Sequence, residues 1–121
     1  MIDIWATYVA DNRSSLENDF TIGAAHPDTV LSLLEKGKAT PLAASCGLDV
    51  PQSSTVRTQA DLQATAAVMQ YPVIAKPVWW REKGQAHFKT MLFQTPQSVV
   101  DGLAPMLDGL TSVLIQEYVR G

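Results

Sequence analysis

Cysteine and histidine are nearly missing from this chain of 121 residues, which holds one of the first and two of the second. A lone thiol, Cys46, cannot close an internal disulfide, and two imidazoles as far apart as His26 and His87 offer no metal-ligand spacing. Because Leu42-Ala43-Ala44-Ser45 precede it in an apolar, helix-like stretch, Cys46 is expected to pack as a small hydrophobe. No apolar run approaches the length of a membrane span. The first residues carry Asp3 and Asp11 but none of the early basic cluster of a secretory signal. Positive charge is also in deficit: 9 Lys and Arg stand against 12 Asp and Glu, a net −3. That balance argues against a generic binder of nucleic acid or anionic membrane. The expected setting is cytoplasmic, with neither nucleic acid nor membrane as a partner. Internal repeats and low-complexity tracts are absent too.

What is present is enough apolar material for one small domain. Hydrophobic residues make up 46% and charged residues 17%, so a core is feasible and wholesale disorder is excluded. Residues 1–25 show no clean period: Ile2, Ile4, Trp5, Tyr8 and Val9 lead into a polar stretch, and Phe20-Thr21-Ile22 is expected as a short strand. Proline and an early acid at Pro27-Asp28 open a helix with apolar Val30, Leu31, Leu33 and Leu34. Gly37 and Pro41 are expected to interrupt it, leaving a second helical piece over 41–46 with Gly47 as its C′ residue. A short strand over 53–56 follows, then a helix over 59–69 with Thr58 as N-cap. Strands are expected over 72–77, 86–93 and 112–117. A helix over 96–108 carries Val99, Val100, Leu103, Met106 and Leu107 at helical spacing, with Pro105 placed to shorten it. The pattern predicts an α+β fold, a mostly antiparallel twisted sheet with helices on one face.

The most strand-like run, Pro72-Val73-Ile74-Ala75-Lys76-Pro77, contains one ammonium among small or apolar neighbours. Burying such a charge is unfavourable unless something compensates it, and phosphate is a natural candidate. The plainer alternative is that Lys76 snorkels from an edge strand, its stem packed and its head in water.

Three blocks, in order, then resemble the first lobe of the ATP-grasp nucleotide-binding domain found in carboxylate–amine ligases and carbamoyl-phosphate-synthase-like members. Glu35-Lys36 followed by Gly47 and Val50-Pro51 is similar to the family's "Asp-Lys … Gly-hydrophobic-x-Val-Pro" segment. Tyr71-Pro72-Val73-Ile74-Ala75-Lys76-Pro77 looks like its "yPvivKP" strand, and Ile115-Gln116-Glu117-Tyr118-Val119-Arg120-Gly121 looks like its "vqEyi-x-G" hinge. Residues 27–121 would then be the first lobe, truncated at the hinge, and 1–26 the C-terminal remnant of a preceding domain.

The resemblance implies ATP as ligand. Lys76 and Lys36 would contact the phosphates, and Gln116, Glu117 and Val119 would line the adenine edge, through the carbonyl of Glu117 and the N–H of Val119. No residue here would be a nucleophile. The parent would be an ATP-dependent ligase activating a small carboxylate as acylphosphate for attack by an amine. Lys76 and Glu117 should then lie on adjacent strands facing one cleft.

There are departures. Glu35 stands for the family's Asp, and Gly37 and Pro41 disturb the Lys36 helix. The loop Val78-Trp79-Trp80-Arg81-Glu82-Lys83-Gly84 lacks the glycine-rich lid. Either it brings Arg81 or Lys83 to phosphate, or Trp79 and Trp80 cover an apolar edge. Lys89 either faces the nucleotide from the neighbouring strand or, the expected case, is a solvated edge-strand lysine. Magnesium ligands and most of the acceptor site would come from the second lobe, so the chain alone is expected to be inactive, with its exposed lobe surface open to self-association. The rival class is a non-catalytic α+β interaction module with a structural Lys76.

Overall fold

A computed structural model describes residues 2–78, 88–107 and 112–120. Helix α1 (Ile2–Asp11), the single turn α2 (Arg13–Leu16), α3 (Pro27–Leu34) and α4 (Lys36–Ser45) precede strand β1 (Ser53–Val56). Helix α5 (Gln59–Val68), β2 (Val73–Pro77), β3 (Met91–Phe93), α6 (Pro96–Leu107) and β4 (Val113–Glu117) follow. The strands form one antiparallel sheet in the order β1-β4-β2-β3. The expected α+β class and the antiparallel sheet are therefore both present.

Side chains alternate across a strand, and directly paired residues share a face. In the β2–β4 pair Ala75 lies opposite Ile115 and Pro77 opposite Val113, and all four are buried. This face meets α5 and α6, which pack on each other. Leu62, Val99, Leu103, Phe93, Val56 and Val73 complete the core. Val99, Leu103 and Leu107 recur at every fourth position of α6, the helical stripe read in the sequence. Pro105 does not end that helix, which runs to Leu107 because Leu103 and Leu107 are both buried against the core.

Local capping fixes the helix ends. The Thr58 hydroxyl accepts from the Asp61 N–H at 3.1 Å, and the Asp61 carboxylate accepts from the Thr58 N–H at 3.0 Å, a capping box that starts α5. Thr95 and Ser98 make the same kind of exchange at the start of α6. At the end of α4, Gly47 takes φ +78°, Gly47 N–H reaches the Ala44 carbonyl and Leu48 N–H the Ala43 carbonyl, closing the helix as a Schellman motif.

Four expectations need correction. The break between α3 and α4 falls at Glu35, which is extended, and not at Gly37 or Pro41, which lie inside α4. A tertiary bond sets that start: Lys36 N–H donates to the Val78 carbonyl at 3.2 Å. Gly37 permits the approach, since a Cβ there would stand 3.2 Å from Val78 Cγ1 and 3.4 Å from Thr55 Oγ1. Phe20-Thr21-Ile22 forms no strand. The Arg13 guanidinium donates to the carbonyls of Ala24 and Ala25, at 3.0 and 2.7 Å, and lies 3.5 Å from that of Ile22, which ties this stretch to α2 instead of to the sheet. The third strand spans Met91–Phe93 only; residues 88–90 are outside it, and 86–87 lie outside the described residues. Cys46 is exposed at the C-cap of α4, because the helix turns its last residue outward at the Gly47 reversal.

The amino-terminal stretch is helical. Thr7 and Ala10, three residues apart, are buried on the side of α1 that packs on α3, while Ile4, Trp5 and Tyr8 are exposed. The aromatics therefore sit on the outer face, which hid the helical period in the sequence.

Two measurements follow. Glycine inside a helix normally loses to alanine by about 1 kcal/mol. At Gly102, however, a Cβ would stand 2.6 Å from Cε1 of the buried Phe93 ring. Gly102→Ala should therefore destabilise the fold by about 1–3 kcal/mol in chemical denaturation, and a stabilised variant would contradict this packing. Asp61 is held below its ordinary 3.8 by hydrogen bonds, first from the Thr58 side chain and then from the Arg57 and Thr58 N–H groups. A depressed carboxylate stabilises the fold above its unfolded value and loses that contribution as pH falls through its folded value. Asp61→Asn should thus be less stable than the native chain at neutral pH, with the gap closing below pH 3.8. A gap independent of pH would remove the charged cap from the account.

Candidate functional site

The face of the sheet turned away from α5 and α6 carries the polar residues. Register places Ile74 and Lys76 of β2 on it, with Leu114 and Gln116 of β4, Ser53 and Thr55 of β1, and Leu92 of β3. Lys76 pairs with Leu114, and Gln116 is its diagonal neighbour on the same face. The Lys76 ammonium donates to Gln116 Oε1 at 3.4 Å, with both groups half-buried. Lys76 thus emerges from a central strand, not an edge, and keeps its head on the polar face. Its stem is flanked by Ile74 and Leu114.

Lys36 enters from the end of the sheet. Its N–H is bonded to the carbonyl of Val78, two residues beyond Lys76 on the same chain, and its side chain is half-buried. The first residues of α4 reach Thr55 and Val78, so α4 begins at the margin of the polar face.

At the opposite end, Glu117 lies across from Val73. Glu117 and Lys76 are on adjacent strands, as expected, but against expectation their side chains do not face one cleft: they are on opposite faces, because Glu117 is an odd number of residues from Leu114, the partner of Lys76, which leaves only the backbone of Glu117 for a role beside Lys76. The Glu117 N–H donates to the Gln52 carbonyl at 2.8 Å. The Gln52 N–H is directed to the Glu117 carboxylate at 3.3 Å, so the side chain takes the donor that register would otherwise offer to the Glu117 carbonyl. Tyr118 N–H bonds the Pro72 carbonyl at 3.0 Å and carries the ladder past the end of β4, and Val119 beyond it is exposed.

Lys89 is exposed two residues before β3. Arg81, Lys83, Trp79, Trp80, Gly84 and Gly121 lie outside the described residues. The contact between Lys76 and Gln116 is missing from the sequence reading. Strand parity would have revealed it, but only once the β2–β4 register was known.

A concavity of about 380 Å³ between α1, α3 and α4 is lined by Asp11, Asp28 and Glu35 with Lys38, an acidic set. Among the described residues no group of three or more His, Cys, Asp or Glu could hold a metal ion. No helix among them is long and apolar enough to cross a membrane.

No protein-family model and no curated protein matches the chain. Solved structures do. An L-amino acid ligase from Bacillus licheniformis aligns over 95% of this chain and 24% of its own, at TM-score 0.68 and 16% identity. The VanG D-Ala:D-Ser ligase from Enterococcus faecalis aligns over 79% of this chain and 28% of its own, at TM-score 0.62 and 21% identity. A RimK domain ATP-grasp protein from Sphaerobacter thermophilus aligns over 79% and 36%, at TM-score 0.62 and 19% identity. The chain thus spans about a quarter to a third of the length of these proteins. Its fold resembles that of part of these two ligases and of the RimK domain ATP-grasp protein.

Proposed function

We propose that this chain is the nucleotide-binding first lobe of an ATP-dependent ligase that activates a small carboxylate as acylphosphate for attack by an amine. The observation that carries the reading is the Lys76 ammonium held beside Gln116 on the face of an ATP-grasp-like sheet turned away from α5 and α6. Residues 27–121 form this lobe, and 1–26 belong to a preceding domain.

Lys76 contacts the α- and β-phosphates, and Lys36 supplies a second cation from the margin of the same face. Two cations converging on a polyphosphate offset its self-repulsion and orient the terminal phosphoryl group for transfer to the carboxylate. Ile74 and Leu92 offer apolar surface to the adenine. The Glu117 carbonyl, whose ladder donor is taken by its own carboxylate, accepts from the exocyclic amine, and the Val119 N–H donates to a ring nitrogen. Nothing in this chain attacks the substrate; its residues bind and orient.

Magnesium is a poor fit to the described part of this face. The polar face offers an ammonium, an amide and the hydroxyls of Ser53 and Thr55, without a carboxylate cluster. The metal ligands in this reading belong to a second lobe of the ligase, together with the acceptor site.

A single face binds weakly. Each charge-assisted contact contributes about 1.5–3 kcal/mol, and association entropy costs roughly 4 kcal/mol or more. ATP should bind the 121-residue chain no tighter than about millimolar, without turnover. Calorimetry or an NMR titration tests this: Lys76→Ala should weaken binding, while exposed Lys89→Ala should have little effect. In the ligase with both lobes, Lys76→Ala should lower activity by well over roughly tenfold. Micromolar binding by the chain would overturn the one-walled site. An indifferent Lys76→Ala would overturn the phosphate assignment and favour an interaction module with a structural lysine.

A further inference from the structure

The backbone of β4 changes partners at its end, and Glu117 is the residue at which it does so. The N–H and carbonyl of one residue point to one edge of a strand, and those of the next residue to the other edge. Glu117 N–H donates to the Gln52 carbonyl at 2.8 Å, on the β1 side, and Tyr118 N–H donates to the Pro72 carbonyl at 3.0 Å, on the β2 side. The Glu117 carbonyl therefore points toward the β1 side, and an extended continuation turns the Val119 N–H to that same edge. Ser53 pairs with Gln116, so Gln52 is the residue opposite Glu117. Where such a pair already shares one bond, the second ordinarily runs from the Gln52 N–H to the Glu117 carbonyl. Here that N–H is directed instead to the Glu117 carboxylate at 3.3 Å. An ionised carboxylate is the stronger acceptor. While it holds the Gln52 N–H, the carbonyl of the same residue is left without its ladder donor.

Resting on the adenine contacts proposed above, we infer that Glu117 is a positioning residue whose carboxylate keeps its own carbonyl open for the exocyclic amino group of the base. The side chain reads nothing itself: it lies on the face opposite Lys76 and is spent on the Gln52 N–H. Its effect is to end the β1–β4 ladder one bond early. An acceptor at Glu117 and a donor at Val119 then share one edge, the pattern that suits an amino group beside an unprotonated ring nitrogen. A side chain without an acceptor would leave the Gln52 N–H unpaired next to that carbonyl, and an unmade bond of this kind is unfavourable. The ladder would close onto the carbonyl. Gln52 and the base would then compete for one oxygen from the same edge.

The test uses the 121-residue chain with Glu117→Met and Glu117→Gln, each first checked for a native amide spectrum. Methionine keeps the length and removes the acceptor; glutamine keeps an acceptor oxygen and removes the charge. One readout is the NMR scalar coupling across a hydrogen bond from the Gln52 N–H to the backbone carbonyl carbon of residue 117. It should be absent in the native chain and in Glu117→Gln, and should appear in Glu117→Met. The other readout compares ATP with purine riboside triphosphate, which keeps the ring nitrogens and lacks the amino group, and with tripolyphosphate. The preference for ATP over purine riboside triphosphate should fall roughly twofold to tenfold in Glu117→Met and persist in Glu117→Gln. Loss of the negative charge acts on both nucleotides alike and cancels in that ratio. The inference is overturned if the native chain already shows the coupling to the carbonyl, a measurement that needs no variant. It is equally overturned if Glu117→Met leaves the ratio unchanged, or if Glu117→Gln lowers it as far as Glu117→Met does. A native chain that binds ATP no better than tripolyphosphate would overturn the underlying adenine reading, a separate result.

Discussion

The central antiparallel pair, β2 against β4, carries the constraint on which the rest of the molecule depends. Ala75 sits opposite Ile115 and both are fully buried, with Pro77 and Val113 beside them. Because side chains alternate with a period of two, a slip of one residue would turn Lys76 into the layer occupied by Leu62 and Leu103. An unpaired ammonium there would be strongly disfavoured. Burial of small and branched side chains on one face therefore dictates where the charge emerges on the other. The location of Lys76 follows from apolar packing, not from any attraction of its own.

The enclosed core and the polar pair Lys76 and Gln116 are in this way assigned to opposite faces of one sheet. Leu62, Leu103, Ile115, Val73 and Val99 are wholly enclosed, and full burial of such a side chain is worth about 1.5–3 kcal/mol. The contact between Lys76 and Gln116 is half-exposed and long, so its part in stability is minor. The core beneath holds the polar face in place. The same separation explains why Ser54, on the buried side, spends its hydroxyl on Thr65 of α5 at 3.2 Å, while Ser53 and Thr55 are turned to the other side.

The start of α4 shows how a distant contact can overrule local preference. Gly37 and Pro41 are poor residues for a helix interior, yet both are helical here. The bond from Lys36 N–H to the Val78 carbonyl anchors the first turn, and the missing Cβ of Gly37 lets the chain approach Val78 and Thr55. Moving the break to Glu35 places Lys36 at the first helical residue, beside the end of the strand that bears Lys76.

Wherever the deciding interaction is local, the amino-acid sequence alone determines the result. Thr58 and Asp61 specify the start of α5, Gly47 the end of α4, the spacing of Val99, Leu103 and Leu107 the inner face of α6, and the apolar run around Lys76 a strand. The three blocks that resemble ATP-grasp ligases also belong to this local record, and the fold likeness agrees with them. Tertiary structure decided the remainder. It made a helix of residues whose exposed aromatics concealed the period, denied Phe20-Thr21-Ile22 a strand partner and set Gln116 beside Lys76. Each of these depends on a neighbour far away in the chain, and spacing along a sequence carries no record of register between strands.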